Sequence, residues 1–164
     1  MRFKPMLLGG VLLGAALAAI GADTTSPSPG PSGGWSAAGK AEDPALKSAR
    51  AAIAAGDFAA AQTALKAALA SDPGNPDAHN LYAYSIRKGA NPDMALVFKH
   101  YNEALRLDPK HRGAQEYIGE AYLMTGNVPK AKEHLAALNK ICFFGCAEYD
   151  MLKKAVAAYE AKPK

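Results

Sequence analysis

From about residue 42 this chain repeats itself, and the length of the repeat constrains its fold more than any single motif. Ala52, Gly56 and Ala61 are echoed 70 residues later by Tyr122, Gly126 and Ala131. A middle copy explains that offset. Tyr82, Ala83 and Ile86 stand 34 residues after Ser48, Ala49 and Ala52. Val97, Tyr101, Ala104 and Pro109 stand 36 residues after Ala61, Leu65, Ala68 and Pro73. Two additional residues therefore sit in the turn "GANPDM" at 89–94, and the underlying period is 34.

Each copy reads as two helices and a turn. Ala49 and Ala52 share one helical face, "GDF" at 56–58 makes a turn, and Ala61, Leu65 and Ala68 resume helical spacing. The third copy has Ile118, Gly119 and Tyr122, a turn at "GNV", then Ala131, Leu135 and Leu138. Pro73 and Pro109 close the second helices, because the residue before a proline is pushed out of the α region. Ala49, Ala83 and Gly119 fall where the two helices of each copy are expected to cross, and small residues permit close approach. One such pair cannot bury its apolar face alone, so about three copies and an end cap are needed. "AEYDMLKKAVAAYEAK" supplies the cap, with Tyr149, Leu152, Val156 and Tyr159 in one stripe.

This pattern resembles the tetratricopeptide repeat family. "IGEAY" (118–122) with Gly126, Ala131 and Leu135 carries the resemblance most fully. The first copy departs from it, with Ser48 and Ala52 where leucine and tyrosine are usual. The third copy has Phe143 in place of the closing proline. The resemblance implies an all-α, right-handed solenoid of repeats 42–75, 76–111 and 112–145, with a capping helix over 146–162. It also implies a concave groove, lined by the first helices, for a peptide or protein partner. By matching positions, the groove would show Leu46, Arg50 and Ile53, then Asn80, Tyr84, Arg87 and Lys88, then Glu116, Glu120 and Leu123. The binding set is Arg50, Asn80, Tyr84, Arg87, Glu116 and Glu120. The alternative is that any exposed helix shows such residues. On the groove reading, Tyr84→Ala and Arg87→Ala weaken partner binding and leave thermal stability unchanged.

The N-terminus reads as an export leader. Arg2 and Lys4 precede an apolar run from Met6 to Ile20 that ends among small residues. Residues 1–22 are thus expected to be a secretory signal that engages the export machinery, cut after Gly21 or Ala22; an uncleaved anchor is the alternative. Residues 23–41, rich in Ser, Pro and Gly around Trp35, read as a linker. Removing Arg2 and Lys4 lowers the formal charge from +4 to +2, and no basic run with interleaved aromatics argues for nucleic acid. The mature chain is expected to be periplasmic or secreted, with no stable membrane span.

Two cysteines in an exported chain default to a disulfide. Cys142 and Cys146 flank Gly145 where the last repeat hands over to the cap, so a staple fixes the cap's angle while Phe143 and Phe144 fill the join. The alternative is a copper chaperone using Cys142, Cys146 and His134, which otherwise reads as a solvated helix residue. A thiol-redox role lacks the C-x-x-C spacing. Phosphate-loop, zinc-protease and serine-elbow motifs are missing from the sequence. His79 reads as packed or partly buried. Glu116 and Glu120, at i and i+4, read as a solvated face and not as an acid/base pair. The expectation is a non-enzymatic adaptor without a cofactor.

Overall fold

The computed structural model describes residues 43–162. The expected leader and the linker with Trp35 lie outside them. Seven helices follow in order: α1 Pro44–Ala54, α2 Phe58–Ser71, α3 Pro76–Lys88, α4 Met94–Leu107, α5 Arg112–Met124, α6 Val128–Ile141 and α7 Ala147–Glu160. Among the described residues there is no strand, and no helix is long and apolar enough to cross a membrane.

The helices start where short side chains can cap them. Asp57, Asn75, Asp93 and Asn127 each accept from the backbone N–H three residues on, at 2.9–3.2 Å. Such caps satisfy N–H groups that the first turn otherwise leaves unpaired. Asp72 and Asp108, just before Pro73 and Pro109, are extended at φ −138° and −135° and end α2 and α4.

The turns show what the insertion does. Gly56 and Gly126 sit in three-residue turns at φ +75° and +77°, conformations that favour glycine. The α3–α4 turn is longer, and Gly89 there has φ −68°. Two added residues let that turn close without a left-handed glycine.

Each helix packs against its partner (α1 on α2, α3 on α4, α5 on α6) and against the next repeat. The first helices α1, α3, α5 and α7 also neighbour one another in order, making an all-α solenoid. Ala49, Ala61, Leu65, Ala83, Val97, Tyr101 and Ile118 are fully buried in one core. A second core joins α5 and α6 to α7 through Leu123, Ala131, Leu138, Leu152 and Val156, with Tyr122 touching both. The Tyr149–Tyr159 stripe of α7 faces this second core.

One close approach differs from expectation. A Cβ on Gly119 would lie 2.6 Å from Leu152 Cδ2 and 2.8 Å from Leu152 Cδ1. The nearest neighbour of Gly119 is therefore the capping helix, not the second helix of its own repeat. The reason is that α7 takes the place of a fourth first helix and lies against α5.

Candidate functional site

The first helices carry polar side chains at several of the expected groove positions, interleaved with apolar ones. Leu46, Asn80 and Glu116 occupy matching repeat positions on α1, α3 and α5; so do Arg50, Tyr84 and Glu120. Of the expected binding residues, Arg87 is bonded to Glu120 and stacked on Tyr84, while Arg50 pairs with Asp77.

Arg87 lies buried between α3 and α5. Its Nη2 meets Glu120 Oε2 at 2.8 Å, and its Nε donates to the Tyr101 hydroxyl at 3.2 Å. Its guanidinium also stands 5.5 Å and 5.6 Å from the ring centres of Tyr84 and Tyr117. Burial works against the Arg87 charge, but Tyr101 and Glu120 outweigh it and hold the group charged. Tyr84, half-buried, packs edge-on to Phe58 and tilted on Tyr117, with its hydroxyl pKa raised by burial. These contacts make Arg87 part of the packing between repeats, so Arg87→Ala is expected to lower stability where the sequence reading expected no change.

Arg50 pairs with Asp77 Oδ2 at 3.4 Å. His111 Nε2 meets the other oxygen of Asp77 at 3.1 Å, while its Nδ1 accepts from Ala114 N–H. That cap requires an unprotonated Nδ1, so the proton sits on Nε2 and is donated to Asp77. Asp77 escaped the sequence reading, although it lies three residues before Asn80 and seven before Tyr84, on the same helical stripe.

Glu116 overturns the solvated-face reading. It is 2% exposed, and its Oε2 is buried with no hydrogen-bond partner; Asn80 Oδ1 is in the same condition. Burial, then Glu120 and Glu148, push the Glu116 carboxyl up to about 8. α7 explains the burial, because it brings Glu148 alongside Arg112, one turn before Glu116, at 3.8 Å. Glu120 remains partly open, its side chain 30% exposed. Leu46, Ile53 and Leu123 are core residues, and Lys88 is exposed.

The copper set does not assemble. His134 Nδ1 is 2.7 Å from Gln115 Oε1 and its ring stacks on Tyr122, so it is a packed residue and not a solvated one. Burial lowers its pKa. No group of three His, Cys, Asp or Glu among the described residues is placed to hold a metal. Cys142 and Cys146 stand at disulfide distance, with sulfurs 2.03 Å and Cα atoms 5.6 Å apart. Phe143 and Phe144 do not fill the join. They are 85% and 97% exposed, because the five-residue loop at 142–146 turns at Gly145 (φ +85°) and throws both rings outward. His79 is buried, as its position implied, bonded to Pro73 O at 3.0 Å and to His100 Nδ1 at 2.8 Å.

The stacked helix pairs define a helical-repeat protein. The tetratricopeptide repeat family model matches residues 46–95 and 99–140, more than half of the chain, and the chain belongs to that family. No protein of curated function matches the sequence. Among solved structures it is similar to the first tetratricopeptide repeat domain of Spaghetti (RPAP3) bound to the HSP90 peptide SRMEEVD. The TM-score is 0.59 at 17% identity, covering 71% of this chain and 94% of that one. At that identity the likeness shows the fold.

Proposed function

We propose that the chain is a non-enzymatic protein-interaction adaptor of the cell envelope, exported by its leader, that holds a peptide or partner segment across the α1–α3–α5 face. One observation carries the reading: Arg50 on α1, Asn80 and Arg87 on α3, and Glu116 and Glu120 on α5 are polar at the expected groove positions, and Asn80, Arg87 and Glu116 are buried. Buried polar groups are costly unless paired, so an idle solenoid face would more cheaply be aliphatic or fully solvated. The related fold that holds a peptide supports a peptide ligand. The cysteine pair at disulfide distance supports an oxidising compartment.

The test is site-specific photo-cross-linking to peptides selected from a display library. Met124, exposed on α5, and Lys99, exposed on the second helix α4, are replaced singly by a photoreactive residue. Cross-linking at 124 and not at 99 is the expected result. Equal labelling, or labelling at 99 alone, overturns the assignment. Fractionation of the native host, with the mass of the mature N-terminus, tests export.

A further inference from the structure

Beyond the groove, and using none of its residues, we propose that the closed loop at 142–146 docks on an anionic phospholipid surface. Phe143 and Phe144 enter the acyl boundary, and the lysines beside them meet the phosphates. The loop stands where the earlier repeats make their closing turns. Those turns, at 72–75 and 108–111, are four residues long and built on Pro73 and Pro109. The third has five residues, with one phenylalanine at the proline's position and another next to it. Phe143 is 85% exposed and Phe144 97%, and the two rings meet edge-on with centres 5.1 Å apart. A turn that only joined two helices would not need them, because apolar area left in water stabilises nothing.

The loop holds its rings out in advance. Cys142 and Cys146 close it, Gly145 turns it at φ +85°, and Gly145 N–H donates to Cys142 O at 2.8 Å. Little order remains to be imposed on docking.

Area and charge select the occupant. Two phenylalanine rings offer roughly 300–500 Å² between them, against about 800 Å² a side in a stable protein interface. That is too little to hold a protein alone, and enough for shallow, reversible insertion where a second attraction helps. Lysines supply that attraction. Lys140 lies exposed in the last turn of α6, two residues before Cys142. Lys110 is exposed in the turn before α5, and the Arg112–Glu148 contact at 3.8 Å shows that the starts of α5 and α7 adjoin on this edge. Lys153 stands 5.7 Å from the ring centre of Tyr149, in the first turn of α7. Of the acids in that turn, Glu148 is buried beside Arg112 and only Asp150 is exposed, so the lysines prevail. Aromatic rings set among lysines are suited to the depth of the headgroups.

The test uses residues 23–164, which hold all seven helices, so that the apolar run of the leader takes no part. Co-sedimentation is measured with vesicles of phosphatidylcholine alone or mixed with phosphatidylglycerol. The mixed vesicles are expected to bind at least about tenfold more tightly, and salt removes the difference. Phe143→Ser with Phe144→Ser loses at least about tenfold while melting with the parent. Lys110→Ala with Lys140→Ala loses at least about fivefold on the mixed vesicles, whereas Lys99→Ala, on α4, binds as the parent does. A benzophenone side chain in place of Phe144 labels lipid, and one in place of Lys99 does not. Absence of vesicle binding, full binding by the phenylalanine variant, or no preference for the mixed vesicles overturns the proposal. So does an adduct at 144 in the native envelope with protein and none with lipid, which makes the loop a protein contact.

Discussion

Arg87 on α3 reaches Glu120 on α5 across 2.8 Å, and the pair ties the second repeat to the third. The arginine side chain is 5% exposed and the glutamate 30%. The contact is thus sheltered on one side and wet on the other, a different case from a surface ion pair. It also makes a candidate binding residue part of the solenoid's own cohesion.

Replacing Arg87 by alanine is expected to destabilise the fold by about 2–4 kcal/mol, because it empties a packed site and strips the Tyr101 hydroxyl of its partner. Urea unfolding measures this. A double-mutant cycle with Glu120→Ala isolates the ion pair, with a coupling of roughly 1 kcal/mol. Zero coupling would mean the loss comes from packing alone.

Gly119→Ala places a methyl against Leu152, which is fully buried and must shift to admit it. The better helix propensity of alanine is worth about 1 kcal/mol. The overpacking outweighs it, with a net loss on the order of 1–2 kcal/mol. Pairing the change with Leu152→Val makes room, so the double variant is expected to lose less than the two single losses added. Strict additivity in thermal unfolding would place the strain elsewhere.

Glu116 gives a pH signature. Its carboxyl is raised in the folded state to about 8 and lies near 4.5 when unfolded. Between those values the unfolded chain holds fewer protons, so this group makes stability fall as pH rises. Glu116→Gln removes that slope, because an amide does not titrate. The variant is expected to gain roughly 1–3 kcal/mol at pH 8 and nothing near pH 4.5. A parallel pair of stability curves would refute the buried charge.

His100 acts in the opposite sense. Burial first, then His79 and Lys99, lower it from 6.5 to about 4. Its Nδ1 lies 2.8 Å from that of His79, a contact with room for one proton. Its contribution is complete above pH 6.5 and is lost as pH falls towards 4, where the unfolded chain binds the extra proton. His100→Asn is expected to flatten the acid limb between those values, as read by denaturation at successive pH.

The Cys142–Cys146 closure spans four residues and should contribute about 2 kcal/mol in the chain-entropy model. Replacing both by serine is expected to loosen α7 first, visible as faster amide exchange in 147–160 with little change in α1–α4. Phe143→Ser with Phe144→Ser should leave stability unchanged, since both rings are in solvent. The intact protein should weigh two hydrogens less than its reduced form.

What the sequence determined by itself was the sequence of helices and turns. Capping residues, prolines and a 34-residue period act within one turn or one repeat, so they are legible without neighbours. The two-residue insertion placed the longer turn, and the alanines at 49, 61, 83 and 131 marked buried surfaces. Helical spacing also grouped Asn80, Tyr84, Arg87, Glu116 and Glu120 on one face. Tertiary structure decided what stands opposite each of them. The period says which way a side chain points and is silent on which helix meets it. Only the docking of α7 buries Glu116 beside Glu148 and presses Leu152 onto Gly119, and only the packing of α6 on α5 draws His134 to Gln115. A polar residue becomes costly when a neighbour excludes its water, and that neighbour is set by contacts far along the chain.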